Sequence, residues 1–282
     1  MFRTLVSTGD LAAHLDDPSW VVVDVRYNLA DTGAGLTQYR EGHIAGAVYA
    51  SLSHDLASTP TGTNGRHPLP ALEAMAATFG RLGIGPGTQV VCYDADNMFA
   101  ARLWWMLRYV GHDAVAVLDG GFPKWVNEGR PVQAGEEHRA PATFLAAVRE
   151  DMRVPVDVVA AASQNGSLRL IDARAPERFE GRNETIDKAA GHIPGAANYF
   201  FKQNFTGEGT IRPVEELRAT LTATTAGTPM GEVVMYCGSG VTACQNLLAL
   251  EHAGLPGARL FVGSWSEWSA DPSRPVETGA AK

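Results

Sequence analysis

The residues best equipped for covalent chemistry in this 282-residue chain lie in one stretch, Cys237-Gly238-Ser239-Gly240-Val241-Thr242. An apolar run, Val233 to Tyr236, precedes the cysteine, and a helical pattern follows the loop. This pattern predicts a buried strand that hands Cys237 to a tight turn, which then opens a helix. Gly238 and Gly240 allow positive φ and leave backbone N–H groups unobstructed. N–H groups curled around one point at a helix N-terminus form an anion site. Such a site favours the thiolate form of a thiol placed in it. Cys237 is therefore expected to be a nucleophile.

The elements needed to position that loop are legible around it. Trp20 to Arg26, Gln89 to Asp94 and Ala114 to Leu118 read as strands. Ala71 to Leu82 and Phe122 to Glu128 read as helices, and Asp10 to Leu15 as a short helix capped by Ser7 or Thr8. Asn97 is expected to cap a helix with Phe99, Leu103, Met106, Leu107 and Val110 on one face. Ser51 to Pro70 is a long loop rich in Ser, Thr, Gly and Pro, a length more often functional than accidental.

The second half of the chain replays the first. Asp24-Val25-Arg26 returns as Asp172-Ala173-Arg174, and Gly42-His43-Ile44-Ala45-Gly46-Ala47 as Gly191-His192-Ile193-Pro194-Gly195-Ala196. Trp125 returns as Trp268, and Asp94 stands where Cys237 stands in the second copy. The near-constant spacing marks a duplicated domain. We expect domains at residues 1–130 and 156–282, joined by a linker over 131–155. Strands alternating with helices imply an α/β fold in each half, a mostly parallel sheet flanked by helices. Sites in such sheets sit beyond the carboxyl ends of the strands. Only the second copy places a thiol there. The first, with Asp94 at that position, is expected to be non-catalytic. Because Gly-His-Ile and Asp-x-Arg occur in both copies, they are read as structural.

Composition limits the partners. The charged fraction is 19% and the net charge −8, so nothing draws the chain to nucleic acid or anionic lipid. Three cysteines, Cys92, Cys237 and Cys244, are too few for a disulfide framework and suggest a reducing, cytoplasmic setting. Cys244 is expected on the helix after the loop, facing the core. The longest apolar region, Met98 to Leu118, is broken by charge and does not read as membrane-spanning. No cysteine and histidine spacing suggests a zinc site. A cysteine phosphatase would need an arginine six residues after the cysteine, where Ala243 stands, and the G-x-S-x-G of a serine hydrolase is absent.

Together, the Asp-x-Arg strand ends, the repeated Gly-His-Ile-x-Gly-Ala turns and Cys237-Gly238-Ser239-Gly240-Val241-Thr242 resemble two tandem rhodanese-like domains of the sulfurtransferases. The cysteine loop is closest to the 3-mercaptopyruvate branch, because thiosulfate-preferring relatives carry basic residues after the cysteine. The resemblance implies that Cys237 takes sulfur from 3-mercaptopyruvate or thiosulfate as a persulfide. Loop residues 238 to 242 would hold it, and a thiol, cyanide or thioredoxin would receive it. No metal or organic cofactor is implied. The resemblance also assigns substrate-anion binding to Arg178 and a first-domain histidine to His67, and gives the hydroxyls of Ser239 and Thr242 either the substrate or its leaving enolate to bond, or hydrogen bonds within the loop. The branch's second arginine is missing before Gly191, leaving Arg182 or Lys188 as substitutes. Its first-domain aspartate is replaced by Ser53, with Asp55 two residues on. The alternatives are a thiosulfate-preferring enzyme and a relay module that docks a partner protein.

Overall fold

The computed structural model of the protein describes residues 1–280 and divides into two compact units. The first comprises residues 1–58, 69–149 and 207–211; the second comprises 59–68, 150–206 and 212–282. The long loop after Ser58 thus contributes residues 59–68 to the second unit, among them Arg66 and His67.

In the first unit, the strands are β1 (Leu5–Val6), β2 (Trp20–Asp24), β3 (His43–Ile44), β4 (Val48–Tyr49), β5 (Gln89–Tyr93), β6 (Val115–Leu118) and β7 (Val132–Gln133). The helices are α1 (Thr8–Ala12), α2 (Ala34–Glu41), α3 (Leu72–Arg81), α4 (Ala100–Tyr109) and α5 (Gly121–Asn127). A parallel sheet runs β1-β6-β5-β2-β4, and β3 pairs antiparallel with β7. Every residue of β2, β5 and β6 is buried, as a sheet covered on both faces requires. Residues 131–149, read from sequence as linker, pack on this unit. Beyond the β7 pairing, Ala142 N–H donates to Gly80 C=O, Ala147 N–H to Val110 C=O, and Arg149 pairs with Asp113.

The second unit repeats the plan. Its helices are α6 (Val156–Asn165), α7 (Pro176–Phe179), α8 (Val214–Thr225), α9 (Ala243–His252) and α10 (Ser264–Trp268). Strands β8 (Arg169–Asp172), β9 (Ala197–Asn198), β10 (Val233–Tyr236) and β11 (Arg259–Leu260) form a parallel sheet in the order β11-β10-β8-β9. A bridge from Arg153 to Leu260 stands in for the β1–β6 pair, and one from His192 to Glu277 for the β3–β7 pair. Trp265 and Trp268 fill its core with Phe179, Tyr236 and Phe261.

The repeated motifs are polar staples. Arg26 binds Asp24 at 2.6 Å and Gly42 C=O at 2.6 Å; Arg174 binds Asp172 and Gly191 C=O, both at 2.7 Å. Each pair ties a strand end to the turn carrying the histidine. His43 and His192 in turn hydrogen-bond the C=O of Tyr39 and Phe179 through Nδ1. Two expectations need correction. Asn97 does not cap α4: it sits at φ 57° and its amide donates to Gly209 C=O, while the Asp94 carboxylate accepts the N–H groups of Phe99 and Ala100 at the helix start. Nor has α4 a single apolar face. Nearly all of it is buried, including Arg102, because the helix is enclosed by the unit. Among the described residues no helix is long and apolar enough to cross a membrane.

Candidate active site

β10 delivers Cys237 to the carboxyl edge of the second sheet, and α9 begins six residues later at Ala243. The apolar strand is buried throughout, so its end is fixed by the core. The turn is held from α10. Cys237 N–H donates to Ser264 Oγ at 3.0 Å, and Ser264 O–H donates to Phe261 C=O at 2.9 Å. Trp265 and Ser266 N–H groups donate to the carbonyls of Cys237 and Gly238, each at 2.9 Å. Ser264 adopts φ 53°, a left-handed conformation uncommon for a residue with a side chain. Its hydroxyl occupies that strained position to anchor the backbone of Cys237.

The two loop glycines do different work. Gly240 has φ 73°, and a Cβ there would lie 2.1 Å from Val262 C=O. Gly238 does not have positive φ, contrary to expectation; it provides space. A Cβ at Gly238 would lie 2.8 Å from Arg66 Nη2 and 3.6 Å from Arg178 Nη1. Two guanidinium groups therefore approach the backbone immediately after Cys237.

Those groups are held by carboxylates. Arg178, on α7, binds Glu184 through Nε and Nη2 at 2.9–3.1 Å, and Asp187 through Nη2 at 3.0 Å. Arg66 forms an ion pair with the other oxygen of Asp187. Glu184 also accepts the N–H groups of Ile186 and Asp187, which shapes the turn between them. Burial opposes ionisation of Glu184, but those N–H groups and Arg178 outweigh it and hold its carboxyl below the ordinary carboxylate range. For Asp187, burial prevails over Arg66 and Arg178 and pushes the carboxyl above that range. Among the described residues, Arg66 Nη2 and Arg178 Nη1 have no hydrogen-bond acceptor. These are the nitrogens nearest Gly238, and together they can grip an anion.

Ser239 Oγ and His67 Nδ1 share a hydrogen bond of 2.8 Å, both residues being buried. The structure thus brings Cys237, residues 238 to 242, Arg178 and His67 into one place. Thr242 precedes α9, and its hydroxyl makes no cap bond. Arg182 is not part of the cluster; its side chain is 61% exposed and pairs with Glu180. Lys188 is exposed, although it lines a cavity of about 220 Å³ with Arg66, Ile186, Asp187 and Ser266. Asp55 binds Ser51 N–H and Arg81 in the first unit. Cys244 lies on α9 and its thiol donates to Gly240 C=O at 3.3 Å, a loop-bracing contact. Arg66 and Asp187 went unread in the sequence. The acidic Glu184-Thr185-Ile186-Asp187 in place of the expected arginine was the available signal.

Comparison with known proteins agrees in one direction. Residues 7–128 and 155–271 each match the Rhodanese-like domain family. A probable 3-mercaptopyruvate sulfurtransferase of Pseudomonas aeruginosa is 44% identical over 280 residues, 98% of each chain. A putative thiosulfate sulfurtransferase of Mycobacterium tuberculosis is 38% identical over 99% of this chain and 98% of its own. The crystal structure of SseA from Escherichia coli, described as a 3-mercaptopyruvate sulfotransferase, superposes with a TM-score of 0.81 at 31% identity. It covers 94% of this chain and 99% of that one.

Proposed function

The chain belongs to the rhodanese family, with two tandem domains, and on that premise we propose that Cys237 carries the sulfur in its sulfurtransferase reaction, with 3-mercaptopyruvate as donor. The Cys237 thiolate attacks the donor sulfur, and the sulfur–carbon bond breaks. Cys237 keeps the sulfur as a persulfide, and the carbon side leaves as the enolate of pyruvate, which takes up a proton. The terminal sulfur then passes to a thiolate or cyanide, and Cys237 is released as thiolate.

One observation carries this reading: the free nitrogens of Arg66 and Arg178 flank Gly238, one residue past Cys237. A donor carboxylate held there sets its thiol within reach of Cys237. The hydrogen-bonded Ser239 and His67 stand beside the loop to bond the enolate oxygen and move its proton. The N–H groups of residues 238 to 242 stabilise negative charge on the persulfide by preorganised dipoles.

A second reading, thiosulfate as donor, draws on the same two guanidinium groups and on the relative from M. tuberculosis. The acceptor in the cell is a small thiol or thioredoxin, and the free cysteines fit a reducing, cytoplasmic setting. The test is intact-protein mass spectrometry after exposure to mercaptopyruvate. The mass should rise by one sulfur on Cys237, and Cys237→Ser should show no gain and no turnover with cyanide. Sulfur on another residue, or full turnover by Cys237→Ser, overturns the reading. A small-molecule acceptor left without sulfur while added thioredoxin takes it up marks a protein relay.

A further inference from the structure

We propose that Asp187 sets the charge of the donor accepted at Cys237, selecting a singly charged donor over a dianion. The inference rests on the reading of Cys237 as the sulfur carrier and deepens it. Asp187 bridges the two arginines, with one oxygen on Arg66 and the other 3.0 Å from Arg178 Nη2. Its side chain is only 4% exposed, whereas Arg66 and Arg178 are 29% and 21% exposed. The carboxylate thus lies behind the guanidinium groups, on the side away from solvent, and leaves Arg66 Nη2 and Arg178 Nη1 free beside Gly238. Bound this way, Asp187 aims both donors and offsets one of their two positive charges.

Charge balance around the loop turns on this residue. Arg66, Arg174 and Arg178 are matched by Asp172, Glu184 and Asp187, all linked through ion pairs. Among the described residues, Lys188 is a nearby cation outside this balance, but it is exposed and screened by solvent. Mercaptopyruvate brings one carboxylate charge; thiosulfate brings two. A neutral cluster with two aligned N–H donors suits a single carboxylate. A second negative charge would meet the buried carboxylates behind the arginines with nothing to offset it.

The test measures kcat/KM for both donors in wild type, Asp187→Asn and Asp187→Glu, with cyanide as acceptor. Asp187→Asn should raise the ratio of thiosulfate to mercaptopyruvate roughly tenfold, mainly through a lower KM for thiosulfate, the scale expected of one charge acting across a partly exposed site. Asp187→Glu keeps the charge and should hold the ratio within about threefold of wild type. A parallel fall for both donors in Asp187→Asn, with the ratio unmoved, marks a merely structural role and overturns the proposal. A second measurement needs no variant. Pyruvate should protect wild-type Cys237 from alkylation at lower concentration than sulfate does; equal or better protection by sulfate overturns the proposal. If Cys237 gains sulfur from a donor while these ratios fail, only the assignment to Asp187 falls. If no sulfur reaches Cys237 from either donor, the reading beneath it falls.

Discussion

Asp94 and Cys237 occupy the same position in the two repeats, and the main chain treats them alike. Each follows the buried strand at the middle of its sheet, and each carbonyl accepts an N–H from the helix downstream: Phe122 to Asp94 at 2.8 Å, Trp265 to Cys237 at 2.9 Å. The side chains differ in what they do with the loop. The Asp94 carboxylate accepts the N–H groups of Asn97, Phe99 and Ala100 at 2.7–2.8 Å. Their counterparts in the second repeat are Gly240, Thr242 and Ala243. The first repeat has filled its anion site with its own carboxylate.

That equivalence predicts the outcome of moving the thiol. The double variant Asp94→Cys, Cys237→Ser should have no sulfurtransferase activity. In the first repeat Gln38, the residue before Tyr39, stands where Arg178 stands before Phe179, and Gly121 stands in place of Ser264. A cysteine in the turn would find neither the guanidinium grip nor the hydroxyl anchor. Turnover of mercaptopyruvate with cyanide would measure it, and activity above a hundredth of wild type would show that the loop alone suffices.

The glycines of the cysteine loop should separate stability from binding. Gly240→Ala combines a left-handed φ with a Cβ set 2.1 Å from Val262 C=O. It should cost about 2–5 kcal/mol in denaturant unfolding and abolish activity. Gly238→Ala has no such backbone conflict; its Cβ meets the flexible end of Arg66. It should unfold within about 1 kcal/mol of wild type and show its effect as a raised KM.

Ser264 offers a test of anchoring with opposed terms. Ser264→Ala keeps the strained φ and strands the buried N–H of Cys237, so it should destabilise by about 1–3 kcal/mol. Ser264→Gly loses the same hydrogen bond but relieves the φ, as Gly121 does in the first repeat, and should be the milder change. Thermal melts of both variants would rank them, and the opposite order would refute this account.

The features legible in the sequence were local ones. The run from Val233 into Cys237, the Gly-rich turn and the replayed Asp-x-Arg and Gly-His-Ile motifs depend on neighbours along the chain. Chain order also placed Asp94 opposite Cys237. The missed features depend on folding. Arg66 comes from a loop some 170 residues before Cys237 in the chain and reaches it only because residues 59–68 belong to the second unit. Asn97 carries the residue type of a cap, yet Asp94, held by the strand end, reaches those N–H groups first. Gly238 was read as conformational freedom when its role is clearance for two side chains, which no local pattern encodes.

Donor choice should depend on pH in a direction set by Asp187. Burial raises the pKa of its carboxyl above the ordinary carboxylate range despite Arg66 and Arg178, so its proton returns at a higher pH than that of an exposed aspartate. The charged groups acting on it are Arg66, Arg178 and Arg174, and Glu184, held below the ordinary range and still ionised where Asp187 titrates. As pH falls through the Asp187 transition, one negative charge leaves the cluster and its balance moves from neutral to positive. The ratio of kcat/KM for thiosulfate to that for mercaptopyruvate should therefore rise on acidification. Taking the ratio cancels titrations common to both reactions. In Asp187→Asn the ratio should be high and flat over the same range. A ratio in wild type that is flat, or that falls with acidification, would show that this carboxylate does not govern the choice.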